Sequence, residues 1–106
     1  MTVTPTDLAE RLRSAAPPCL LDVREEQEHA FCALPGSRLL PLSELAERAG
    51  ELDDWRGVEV VVYCHHGVRS AHAIGYLRQL GFQRILNLSG GIDRWSLEVD
   101  PSVPRY

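Results

Sequence analysis

Short extended and helical patterns alternate along this chain, which predicts an α/β fold built on a parallel sheet with helices on both faces. Two neighbouring segments carry the prediction. Val58-Glu59-Val60-Val61-Val62-Tyr63-Cys64 is almost wholly β-branched or aromatic, the composition of a strand in the middle of a parallel sheet. Behind it, Ala73, Ile74, Leu77 and Leu80 recur at helical spacing on one face before Gly81 stops the run. Strand, loop and helix in that order imply right-handed βαβ crossovers.

The remaining elements follow in chain order. Thr4-Pro5-Thr6-Asp7 reads as a helix start with Thr4 as the cap and Pro5 at the first position, and Leu8, Leu12 and Ala15 continue it toward Pro17-Pro18. Cys19-Leu20-Leu21-Asp22-Val23 is a short apolar run of the kind covered on both faces. The charged stretch from Arg24 to the turn pair Pro35-Gly36 reads as a loop with one helical turn. Arg38-Leu39-Leu40-Pro41 suits an edge strand, where proline is tolerated. Ser43 is placed to cap a helix whose inner side carries Leu42, Leu45, Ala46 and Ala49, and Asp53 to Gly57 form the next turn. Arg84 to Leu88 is the last strand, and Gly90-Gly91-Ile92-Asp93-Arg94-Trp95 opens a terminal helix.

Bulk properties restrict the function classes. A length of 106 residues with 44% apolar and 25% charged residues fits one soluble domain spanning 1–106. The net charge is -4, and the eleven basic residues are all arginines scattered along the chain, so the basic footprint of a nucleic-acid binder is missing. No apolar stretch is long enough to span a bilayer, and Met1 to Asp7 lacks the pattern of a signal peptide, which leads us to expect a cytoplasmic protein. Cys19, Cys32 and Cys64 are too few and too far apart for a disulfide framework or for paired zinc ligands, and neither a metal nor a cofactor is expected.

Chemistry is expected at Cys64. It ends the most apolar strand and precedes a loop into a helix, the position where open α/β sheets bind ligands. Successive N–H groups of such a turn, together with the positive end of the next helix, favour an anionic sulfur, the nucleophilic form. Gly67 permits a tight curl of the loop. Arg69 offers a fixed charge and a two-pronged donor for an oxyanion. A cysteine in a strand is more often an inert hydrophobe, but the C-x-x-G-x-R pattern that follows this one points to a reactive site.

Three segments together resemble one family. Leu20-Leu21-Asp22-Val23-Arg24-Glu25, the loop Cys64-His65-His66-Gly67-Val68-Arg69-Ser70, and Gly90-Gly91-Ile92-Asp93-Arg94-Trp95 are similar to elements of rhodanese domains, in the family's order and spacing. The ending Asp100 to Tyr106 is similar to the tails of such domains found alone or fused to adenylating enzymes of sulfur-carrier pathways. The resemblance implies a rhodanese-like sheet of about five parallel strands. It also implies a reaction in which Cys64 takes a sulfane sulfur from thiosulfate or another persulfide and passes it to cyanide, a thiol or a sulfur-carrier protein. On that reading Cys64 bears the persulfide, the amides of His65, His66, Gly67, Val68, Arg69 and Ser70 cradle it, and Arg69 orients the donor anion or braces the loop. The donor is thiosulfate, a low-molecular-weight persulfide or a cysteine desulfurase. Where many members read GHIPGA, this chain has Cys32-Ala33-Leu34-Pro35-Gly36-Ser37, without the histidine.

Other residues invite plainer readings. Asp22 and Arg24 are supporting residues, with Asp22 holding Arg24 or a loop amide. Imidazole as a class titrates near neutral pH, yet a cradle of amides needs no general base, so substrate contact or solvation is the default role of His65 and His66. Cys32 is an ordinary loop residue, Cys19 belongs to the core, Trp55 and Trp95 anchor packing, and Glu25 to His29 form a solvated face. A cysteine phosphatase or arsenate reductase is the main rival, but their loop is C-x5-R whereas Cys64 to Arg69 is C-x4-R, a smaller ring suited to one sulfur atom. A non-catalytic docking module is the second rival, and the presence of Cys64 argues against it.

Overall fold

The computed structural model describes residues 1–106. Its five strands are β1 (Thr2–Val3), β2 (Cys19–Asp22), β3 (Arg38–Leu39), β4 (Val60–Tyr63) and β5 (Ile85–Leu88), all parallel in the spatial order β1-β5-β4-β2-β3. Around them lie α1 (Pro5–Leu12), α2 (Glu26–Phe31), α3 (Leu45–Arg48), α4 (Val68–Gln79) and α5 (Gly91–Glu98). This is the parallel sheet flanked by helices that the sequence predicts.

The two-residue period of an extended chain divides the core into two. Val60 and Val62 of β4 pack with Leu21, Ile85, Leu45, Ala73, Ile74 and Leu77, under α3 and α4. Val61 and Tyr63 face the other way, toward Leu8 of α1 and Ile92 and Trp95 of α5. Cys64 continues the register of Val60 and Val62, so its side chain falls on the α4 side of the sheet. From the centre of the sheet the chain leaves β4 toward β5 and leaves β2 toward β3, in opposite directions. The crevice between their carboxyl ends is the switch point at which such sheets bind ligands.

Local signals account for several boundaries. Thr4 caps α1 by accepting from Asp7 N–H at 3.2 Å, with Pro5 at the first position. One strand lies outside the expectations, and three expectations need correction. Thr2–Val3 pairs with Asn87 and Leu88, a two-residue strand too short to show a period. The stretch after Arg24 holds a six-residue helix, α2, longer than a single turn. Ser43 caps no helix; its hydroxyl donates to Glu25 Oε2 at 3.1 Å, and helical structure starts at Leu42 as a 3-10 turn. A further 3-10 segment, Ala49–Trp55, covers most of the predicted turn. No helix is long and apolar enough to cross a membrane.

Leu21 lies fully buried between β3 and β4, so Leu21→Ala should cost about 2–5 kcal/mol of stability, read as a lower urea midpoint with an unchanged slope.

Candidate active site

Cys64 stands at the carboxyl end of β4, 1% exposed, and its Sγ is approached from within the loop. Gly67 N–H donates to it at 3.1 Å and Ser70 N–H at 3.4 Å. The Ser70 hydroxyl lies 3.4 Å from the sulfur and donates at 2.6 Å to Asn87 Oδ1, which leaves its lone pairs for the thiol proton. Asn87 also donates from Nδ2 to the Gly67 carbonyl at 3.1 Å, tying both ends of the loop to β5. Gly67 has φ +113°, a left-handed conformation that L side chains rarely adopt, and it leads directly into α4. Within the cradle expected over His65 to Ser70, the amides of Gly67 and Ser70 are therefore those that touch the sulfur.

The orientation of this loop is fixed from the far side. Ile92 N–H donates to the Cys64 carbonyl at 2.9 Å and Asp93 N–H to that of His65 at 3.2 Å, so the first turn of α5 draws both carbonyls toward itself. Gly91 makes the approach possible. A Cβ there would stand 2.6 Å from the Cys64 carbonyl oxygen and overlap the His65 carbonyl, and the residue has φ +63°.

Asp22 and Arg24, both fully buried, form an ion pair at the end of β2. Arg24 donates from Nε to Oδ1 at 2.9 Å and from Nη2 to Oδ2 at 2.7 Å, and its own N–H reaches Oδ1 at 2.9 Å. Nη2 also donates to the Cys32 carbonyl at 2.6 Å and Nη1 to the Tyr106 hydroxyl at 2.9 Å. Burial opposes the charge of Arg24, but the bonds it donates to Asp22 and Tyr106 outweigh it and keep the guanidinium protonated. Removing one partner of such a pair leaves an uncompensated buried charge.

The Tyr106 hydroxyl passes the network on, donating to Glu28 Oε2 at 2.7 Å. Glu28 in turn holds Arg69 in a two-pronged bridge, Nη1 to Oε1 at 2.6 Å and Nη2 to Oε2 at 2.9 Å. The Arg69 bridge, opposed by burial and helped by Tyr106, pulls the Glu28 carboxyl down to about 2. Arg69 thus braces the loop in this structure, with its outer guanidinium edge facing Glu28. The Tyr106 ring stacks on His65 with centroids 3.9 Å apart and planes at 6°, and His65 stacks on His66 at 3.9 Å. Burial and the adjacent His66 lower the pKa of His65. His66 and Val68 of the loop and Phe31 of the neighbouring α2 are exposed.

The solvated face expected over Glu25 to His29 is partly an internal surface. Glu28 is bonded to Arg69, Tyr106 and Glu25 N–H, and His29 Nδ1 lies 2.8 Å from Asp22 Oδ2. Glu28 carried one usable signal, its three-residue spacing from Glu25, which matches a capping pair. Tyr106 and Asn87 carried none, because their partners lie far away in the chain. Cys32 is buried at the end of α2, with Sγ 3.9 Å from Arg24 Nη1. Cys19 is only partly buried; with Trp55, Trp95, Leu12, Pro17 and Pro18 it lines an apolar cleft of about 550 Å³. That cleft opens at the amino end of β2, away from Cys64, and offers no charged group to a reaction. Trp95 belongs to the core on the α1 and α5 side of the sheet, and Trp55 packs against the core on the α3 and α4 side.

Comparison with known proteins bears on this arrangement. The family model of the Rhodanese-like domain matches residues 4–98. The chain belongs to the rhodanese-like domain family. A protein named sulfurtransferase from Allochromatium vinosum is 38% identical over 96 residues, covering 91% of this chain and 88% of that one. The adenylyltransferase and sulfurtransferase uba4 of Ogataea parapolymorpha is 31% identical over 97 residues, 92% of this chain but 25% of its own length. The Rhodanese-like/PpiC domain-containing protein 12 of Arabidopsis thaliana is likewise matched over only 30% of its length. This rhodanese-like chain therefore spans less than a third of those two longer relatives. A crystal structure of a rhodanese-related protein from Thermoplasma volcanium, 36% identical, superposes with a TM-score of 0.84 over 99% of this chain and 98% of that one.

The depressed carboxyl of Glu28 makes a pH prediction. A group whose folded pKa lies below its unfolded value stabilises the fold above the ordinary carboxylate range, and that contribution fades as pH falls toward about 2. Glu28→Gln should be less stable than the parent at pH 7 by up to roughly 3 kcal/mol, and the two should converge near pH 2, measured by urea unfolding across pH.

Proposed function

We propose that this rhodanese-like domain is a sulfurtransferase in which Cys64 carries a sulfane sulfur as a persulfide between a small donor and a thiophilic acceptor. The observation that carries this reading is the convergence of the Gly67 and Ser70 amides on Cys64 Sγ, at 3.1 and 3.4 Å. Donors aimed at one sulfur from fixed backbone stabilise negative charge there without any side chain having to move. Support comes from the relatives named sulfurtransferases and from the switch-point position of the loop.

With thiosulfate as donor, the Cys64 thiolate attacks the outer sulfur. The S–S bond to the sulfonate sulfur breaks, sulfite leaves with that electron pair, and a persulfide remains on Cys64. With cyanide as acceptor, carbon attacks the outer persulfide sulfur, thiocyanate leaves, and the thiolate is regenerated. Each half-reaction is a displacement at sulfur. An alkyl persulfide or the persulfide of a cysteine desulfurase can load the site in the same way. A relative that combines adenylyltransferase and sulfurtransferase in its name supports a sulfur-carrier protein as a further acceptor. Burial of Cys64 to 1% restricts the approach to a slender donor end.

The test is a loading experiment. After incubation with thiosulfate, intact-mass spectrometry should show one added sulfur atom, which cyanide removes as thiocyanate. Cys64→Ser should show neither, whereas a chain that releases phosphate from an aryl phosphate and never gains sulfur would reverse the assignment.

A further inference from the structure

We infer that Glu28 sets the donor preference of Cys64, by occupying Arg69 and so disfavouring free oxyanions such as thiosulfate relative to thiol-borne persulfides. The inference rests on the sulfurtransferase reading above. It begins from the arginines near the loop, each of which already has a carboxylate. Arg69 is bridged to Glu28 through both terminal nitrogens, Arg24 to Asp22, and Arg105 to Asp93 at 2.8 and 3.3 Å. His65 is held toward its neutral form by burial, and His66 lies 3.8 Å from Asp93, which leaves no guanidinium free to meet an incoming sulfonate.

Glu28 is also anchored, so it does not simply swing aside. Its Oε1 accepts from Glu25 N–H at 3.0 Å and its Oε2 from Tyr106 at 2.7 Å, in addition to the two bonds from Arg69. A thiosulfate dianion that recruits Arg69 must break a two-pronged bridge and then face the carboxylate left behind, a like-charge contact. A persulfide on an alkyl thiol makes no such demand. Its outer sulfur is attacked by the Cys64 thiolate, its S–S bond breaks, and the alkyl thiolate leaves with the electron pair. No oxyanion needs neutralising at any stage. Glu28 touches Arg69 rather than the sulfur, and is therefore a specificity-determining residue that acts through its partner.

The experiment measures single-turnover loading of Cys64 by thiosulfate and by 2-hydroxyethyl hydropersulfide, followed by intact mass. Three chains are compared: the parent, Glu28→Gln, and Glu28→Gln combined with Arg69→Gln. The ratio of the thiosulfate to the persulfide rate constant should rise at least about tenfold in Glu28→Gln and fall back when Arg69 is also replaced. A ratio that stays flat, or a rise that survives loss of Arg69, overturns the inference. Should Glu28→Gln fail to fold, Tyr106→Phe, which removes one anchor of the carboxylate, must raise the ratio in the same direction, and a flat ratio there overturns it equally. Failure of both donors to add sulfur to Cys64 in the parent would instead sink the sulfurtransferase reading itself.

Discussion

The capture of two carbonyls by the first turn of α5 holds the whole site in place. Ile92 and Asp93 donate to the carbonyls of Cys64 and His65, and a trans peptide that points its carbonyl one way points the next N–H the other. Those two bonds fix the start of the loop, and further along it Gly67 at positive φ and Ser70 in the first turn of α4 present their N–H groups to the sulfur. The arrangement requires that two backbones nearly touch, which is why Gly91 tolerates no side chain. Gly91, Ile92 and Asp93, 27 to 29 residues beyond the cysteine, thus act on it through the backbone alone.

A second set of contacts ties the loop to the rest of the sheet. From Asp22 through Arg24, Tyr106 and Glu28 to Arg69, charged and phenolic groups form one continuous chain linking β2, the carboxyl-terminal segment, α2 and α4. Each buried member is bonded on more than one side, the condition under which polar groups are tolerated away from water. The same chain decides what Arg69 can do. A guanidinium bridged by a carboxylate stiffens a loop, whereas an unbridged one binds anions, and here the bridge is present.

Much of this was legible in the residues. The β-branched run ending at Cys64 identified the central strand, because only a strand covered on both faces has so little polar character. Gly81 marked the end of α4, and Thr4-Pro5 the start of α1, since caps and positive φ act within a few residues. Legibility stopped where partners were distant. Thr2–Val3 is a strand only because β5 lies beside it, and Ser43 bonds to Glu25 rather than capping its own helix. Glu28 looked like one solvated charge among several, and its partners Arg69 and Tyr106 lie 41 and 78 residues away.

The sequence by itself determined the α/β class, the two-sided sheet and the place of Cys64 at the end of its central strand, because periodicity, glycine placement and turn chemistry are local properties. Only the tertiary structure decided which amides reach the sulfur, that Arg69 is engaged by Glu28, and that the carboxyl-terminal tyrosine joins the site. Those outcomes depend on distances between segments far apart in the chain, and no local preference encodes a distance across the fold.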